Sequence, residues 1–361
     1  MALDVNGILN ALRSGTPPKK HIVSILSGRT DEIKNFKAVL DTTSTGTGMV
    51  KFMVGDYGAG KSFLLETFKH IALNDDFVVS EMQLNSGFRF NKIEEFYYAI
   101  MHNLALKALP QVTASFDDLF NLWIENLKHV PDNTLKSKEI LWVCDALARF
   151  NTNYSRAFLS YIRAKIKGDF ETIRASSAWL SGEKHIPYAM KQKIDLIGSM
   201  DRQNAIDFLK AFVKLITLMD YKGLVILIDE ADLILTERSD IRSTALSNLK
   251  YLVDLTTTGD LPNTLIVFSG ANDLIDNPNF GVLSQPALFQ RIQHHIWTIS
   301  PLSREHLLEL TEKTLEIFQK KYVLPSGITP EHVYTKINPS PQVQTREYVT
   351  ALMTILDQET N

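Results

Sequence analysis

Apolar positions along this chain follow two rhythms. Continuous apolar runs occur at 49–54 (MVKFMV), 77–82 (FVVSEM), 223–228 (GLVILI) and 264–269 (TLIVFS). Runs without polar alternation suit parallel strands covered on both faces, because neither side of such a strand meets water. Residues 295–299 predict a fifth strand. Elsewhere apolar residues return at helical spacing. Leu64, Leu65, Phe68, Ile71 and Ala72 share one face of a helix over 62–72. The opening residues read as a helix, followed by a loop at 14–20 with Pro17 and Pro18. Another helix is predicted over 30–40, with Thr30 as N-cap and acids in its first turn, then a polar turn at 41–48.

From about 92 to 219 the pattern is helical almost throughout, broken near Pro110, Pro131 and Pro187. That length far exceeds a crossover between two parallel strands, so it predicts a helical insertion. The pattern is helical again from Ser303, which suggests a small C-terminal lid. No internal repeat or low-complexity tract is present. The expected organisation is 1–90 and 220–300 as the two parts of an α/β core, 91–219 as the insertion and 301–361 as the lid.

Chemistry enters at the loop after the first strand. GDYGAGKS, residues 55–62, fits the spacing of a phosphate-binding loop between strand and helix. Gly55, Gly58 and Gly60 allow a tight turn whose N–H groups point inward at phosphate oxygens. The helix that follows adds its positive end. Gly55, Asp56, Tyr57, Gly58, Ala59, Gly60, Lys61, Ser62 and Phe63 therefore form the candidate ATP-binding set. Lys61 is expected at the β- and γ-phosphates and Ser62 on magnesium. The strand LVILID ends in Asp229, a second magnesium ligand, and Glu230 follows as the candidate base that polarises water. After TLIVFS, Asn272 or else Ser269 is placed to orient that water; a turn-forming asparagine is the rival reading. Arg291, in PALFQRI, is either a finger reaching a neighbouring subunit's γ-phosphate or a surface arginine at a helix C-terminus. Arg346 either reaches the nucleotide from the lid or marks a solvated helix end.

The composition, 45% hydrophobic and 22% charged, is that of a globular chain with a real core. No stretch approaches a membrane span, and the N-terminus lacks a signal-peptide pattern. Cys144 is the single cysteine, which excludes an intrachain disulfide and fits a reducing cytoplasm. The nine histidines are scattered, and His294 and His295 would face opposite ways on a strand, so no zinc site is expected. A net charge of −3 gives no global case for nucleic acid. One local pattern does: Arg156, Arg163, Lys165, Lys167 and Arg174 lie near Tyr154, Tyr161 and Trp179. It reads either as a nucleic-acid surface or as a solvated helix face backed by buried aromatics.

With these motifs the chain resembles the additional-strand P-loop ATPases, near the AAA+ and initiator-like branch. That resemblance implies a sheet in the order 5-1-4-3-2. The branch carries a G-R-x-x-E box near the adenine, matched here by Gly28, Arg29 and Glu32. It also implies Asn272 as sensor 1, Arg291 as arginine finger and Arg346 as sensor 2. ILNALRSGTPP, SGRTDEI, VGDYGAGKSFLLETF, LVILIDEADLI and QTREYVTALMTILD look like the BrxD-type ATP-binding proteins of BREX bacteriophage-exclusion systems. This resemblance implies a cytoplasmic ATPase using ATP and Mg2+, acting with other phage-defence proteins, on DNA or as an ATP-dependent homo-oligomer. A slowly hydrolysing nucleotide switch and a DNA-loading initiator are the alternatives. With the chain ending at Asn361, no winged-helix domain is expected after the lid.

Overall fold

The computed structural model describes residues 3–84, 89–128, 133–196 and 198–360. In chain order, α1 (Val5–Arg13) and α2 (Thr30–Ser44) precede β1 (Met49–Val54), which runs through the phosphate loop into α3 (Lys61–Asn74) and β2 (Val78–Gln83). Then come α4 (Ile93–Met101), a hairpin of β3 (Leu104–Leu106) and β4 (Leu109–Ala114), and α5 (Phe116–Lys128), α6 (Asn133–Ala148), α7 (Thr152–Lys167), α8 (Phe170–Leu180), α9 (Tyr188–Lys193) and α10 (Ala205–Thr217). The core resumes with β5 (Leu224–Asp229), α11 (Ser239–Thr257), β6 (Thr264–Gly270), α12 (Asp273–Asp276), α13 (Pro286–Ile292) and β7 (Ile296–Thr298). Helices α14 (Arg304–Gln319), α15 (Pro330–Ile337) and α16 (Thr345–Glu359) complete the chain.

The seven-stranded sheet has the order β4-β3-β2-β5-β6-β1-β7. Its five parallel strands, counted in sequence, stand 5-1-4-3-2, the order that the resemblance implies. β5 lies between β2 and β6, in register Val79 with Val225 and Ile226 with Ile266. Apolar side chains of β1, β5 and β6 feed two cores. Phe52, Ile226 and Phe268 face the insertion side. Met53, Leu227 and Val267 face α2 and α3, where Phe36 stacks on Phe68 at 4.0 Å. A third core joins Ile8, Leu9 and Leu12 of α1 to Phe318, Tyr348, Leu352 and Leu356 of the C-terminal helices. Two hydrogen bonds from the Arg13 guanidinium to Asp357 fasten α1 to α16.

Four expectations need correction. The segment read as helical throughout contains the β3–β4 hairpin, which pairs antiparallel with β2 through Val79 and Ala105. Pro110 is therefore a strand residue on the sheet's edge, a position that tolerates a missing N–H. Pro187 precedes α9 as expected, and Pro131 lies outside the described residues. Thr30 is already helical and Arg29 is the N-cap, its carbonyl accepting from the Ile33 N–H; the helix runs on to Ser44. The last strand begins at Ile296, with His294 and His295 in a short 3-10 turn before it. Among the described residues, no helix is long and apolar enough to cross a membrane.

Candidate active site

The phosphate loop leaves β1 beside the end of β7. The Ile299 N–H donates to the Val54 carbonyl at 2.7 Å, and a Cβ on Gly55 would lie 2.3 Å from the Ile299 oxygen. Close backbone approach, more than torsional freedom, is thus what demands glycine at 55. Gly58 and Gly60 have φ of 85° and 105°, and Gly60 is the N-cap of α3. The Lys61 ammonium lies in the curl of the loop and donates to the carbonyls of Gly55 at 2.8 Å and Asp56 at 2.9 Å. Burial lowers its pKa, opposed by the negative charges of Asp229, Asp232 and Asp56.

Across from it, the Ser62 hydroxyl donates to Asp229 Oδ2 at 2.7 Å. The register of β2, β5 and β6 fixes where Asp229 ends, so a helix start and a strand end meet at this pair. Glu230 holds a left-handed φ of 56°, its N–H donating to Asp229 Oδ1 at 2.9 Å. A left-handed glutamate is strained, and such strain gathers where a side chain must be aimed. Here it turns an exposed carboxylate toward the cleft that Lys61 and Ser62 also line.

The remaining candidates divide. Asn272 reaches the loop, its Nδ2 donating to Asp56 Oδ1 at 2.9 Å. Ser269 is fully buried within β6, its hydroxyl without a hydrogen-bond partner among the described residues. Arg346 lines the cleft, and its N–H donates to the Gly58 carbonyl at 3.0 Å, which docks the start of α16 on the loop. Arg29 also borders the cleft, but its guanidinium is spent on protein: Ala59 O at 2.7 Å, Ser300 O at 2.9 Å and Glu32 at 2.9 Å. Gly28, with φ of 60°, admits the His306 ring, which an added Cβ would meet at 2.3 Å. The Gly28–Arg29–Glu32 box is thereby a structural brace beneath the loop. Arg291 stands outside the cleft, 2.5 Å from Asp254 on α11 and bonded to Ala287 O.

The cleft is open to solvent on one side, and the loop, Asp229, Glu230 and the start of α16 line it together. Its apolar end is built by Leu12, Ile25, Leu302, Leu310 and Val349 from the third core. Sequence reasoning missed these residues, because five apolar positions scattered over the two ends of the chain leave no local signal. Asp232 was missed although it stands in the DEAD run; it also lines the cleft.

The family described as BREX system ATP-binding protein BrxC/D matches residues 2–359. The chain belongs to this family. As a BrxC/D member it is an ATP-binding protein of a BREX system. Domain III of the Thermotoga maritima replication initiation protein DnaA is similar at 12% identity, with a TM-score of 0.41, covering 92% of this chain and 84% of that one. No curated protein matches the BrxC/D chain.

Proposed function

We propose that this BrxC/D protein hydrolyses ATP with magnesium and uses the cycle within a phage-defence assembly. The observation that carries the reading is the meeting of Ser62 and Asp229 at 2.7 Å, with Lys61 and Glu230 lining the same cleft. A hydroxyl and a carboxylate are the hard oxygen donors that suit magnesium. When bound, magnesium supplies neutralising charge to the phosphate oxygens. The α3 N-terminus and Lys61 hold the phosphates, Glu230 accepts a proton from water, and Asn272 orients that water. Arg346 contributes positive charge from the lid side. The apolar end takes the base.

The test is a pair of variants. Lys61→Ala is expected to lose nucleotide binding, whereas Glu230→Gln binds ATP and hardly turns it over. Unchanged hydrolysis in Glu230→Gln removes that residue's role. Arg291 acts between subunits only if a neighbouring copy displaces Asp254, so molar mass with and without ATP, in wild type and Asp254→Ala, decides it.

A second observation favours action on DNA over a freestanding switch. Residues 146–168 carry Arg149, Arg156, Arg163, Lys165 and Lys167 and no acid. Arg156, Arg163 and Lys167 are exposed, have no ion-pair partner among the described residues, and at 3.6 residues per turn lie on one stripe about 16 Å long. Tyr154, Tyr161 and Trp179 are buried, so they cannot stack on bases. The surface therefore fits phosphate contacts without base reading. Replacing all three with Gln should flatten the salt dependence of DNA binding by nearly three logarithmic units per decade of salt, at about 0.9 per phosphate lost. An unchanged slope refutes the surface.

A further inference from the structure

Three loops leave the sheet side by side above the nucleotide cleft, and their tips are tied into one ring. The Tyr57 hydroxyl, on the phosphate loop, donates to Asp232 Oδ2 at 2.6 Å. The other carboxylate oxygen of Asp232 accepts the Ala271 N–H at 2.9 Å. The next residue, Asn272, returns to the phosphate loop through Asp56 Oδ1. The circuit closes along the backbone between Asp56 and Tyr57. Gly270 makes it possible: a Cβ there would lie 2.9 Å from Asp232 Oδ1 and 3.0 Å from the Asp232 nitrogen.

We infer that Asp232 is a positioning residue for the hydrolytic reaction, holding the Asn272 loop and the phosphate-loop tip in fixed register through Ala271 and Tyr57. The inference rests on the ATPase reading above. Asp232 reaches the chemistry through its neighbours: both its oxygens are engaged by protein donors. Hydrogen bonds to a carboxylate are stronger than neutral ones, and displacement of a polar side chain by about 1 Å can cost about a hundredfold in rate. The Tyr57 hydroxyl is pushed up to about 12, chiefly by its bond to Asp232, so it stays a donor throughout the neutral range. The Tyr57 ring also lies 5.5 Å from the Lys61 ammonium, so the ring of bonds and the phosphate grip share a residue.

The test compares three variants of the full chain. Asp232→Ala removes both anchors and is expected to slow ATP turnover about tenfold or more while ADP affinity stays within about twofold. Asp232→Asn keeps an oxygen for the Ala271 N–H and an amide that can donate to the tyrosine oxygen, so it restores most of the rate. Tyr57→Phe falls between. Wild-type turnover in Asp232→Ala overturns the proposal, as does an Asn variant as inactive as the Ala variant, which would mean that the negative charge itself is required. Amide hydrogen exchange at Ala271 gives a readout independent of hydrolysis: it should speed up in Asp232→Ala and remain slow in Asp232→Asn. Equal exchange in wild type and Asp232→Ala refutes the ring. A wild-type protein without ATPase activity but with this exchange pattern would remove the ATPase reading and leave the ring standing.

Discussion

Replacing Arg29 separates a brace from a ligand contact. Its side chain is 7% exposed and makes three charge-assisted hydrogen bonds, to Ala59, Ser300 and Glu32. Bonds to charged groups contribute about 1.5–3 kcal/mol each, and the desolvation of the buried cation offsets part of their sum. In Arg29→Met the stem is still packed, while two backbone carbonyls and a half-buried glutamate lose their donor. The net cost should be about 3–5 kcal/mol, the range for breaking a buried ionic contact. With a urea dependence of about 3 kcal/mol per molar, the unfolding midpoint falls by about 1–1.7 M. Because Ala59 lies between Gly58 and Gly60, the phosphate loop loosens as well, and ADP affinity should drop by about tenfold. Urea titration followed by tryptophan fluorescence, beside ADP titration, measures both. A midpoint unmoved from wild type together with a large loss of affinity would refute the brace and return Arg29 to the nucleotide.

Three further outcomes follow from the same geometry. Gly28→Ala should destabilise the protein by about 2–4 kcal/mol, from its collision with His306 and its left-handed φ; adding His306→Ala should return all but the torsional part of about 1 kcal/mol, read by urea titration. Gly55→Ala should detach β7 from the loop and abolish nucleotide binding, seen as faster amide exchange at Ile299, because the clash is with backbone. His70 lies 3.4 Å from Glu66 and 3.1 Å from the Lys19 carbonyl, and its pKa is raised above the usual histidine value, mainly by Glu66. Its stabilisation is thus complete below the unfolded value of about 6.5 and is lost as pH rises through the higher folded value, so the deficit of His70→Gln should be largest below about pH 6.5 and shrink as pH is raised.

The parallel core was legible because a strand buried on both faces has no choice of residue. VILI in β5 and LIVF in β6 cannot be amphipathic helices or exposed strands. The order of those strands followed from the family the motifs resemble, and the register then carries Asp229 to Ser62. The hairpin escaped because LALKALPQVTA lacks a run of β-branched residues. Its strand character comes from pairing with β2, a long-range partner that local pattern does not report. Thr30 had the chemistry of an N-cap, yet the buried contacts of Arg29 fix where the helix starts. Arg291 and Asn272 looked alike in sequence as polar residues after apolar segments. Only the distances separate them, one bonded to the phosphate loop and the other to a neighbouring helix.

The β3–β4 hairpin gives the insertion an unusual footing. After its first helix, α4, the helical segment returns to the sheet and adds this hairpin, hydrogen-bonded to β2, whose last residue lies beside Asp229. It is an outrigger bolted to the hull. A shift of the hairpin would therefore be felt by main-chain hydrogen bonds one strand away from the strand that ends in Asp229.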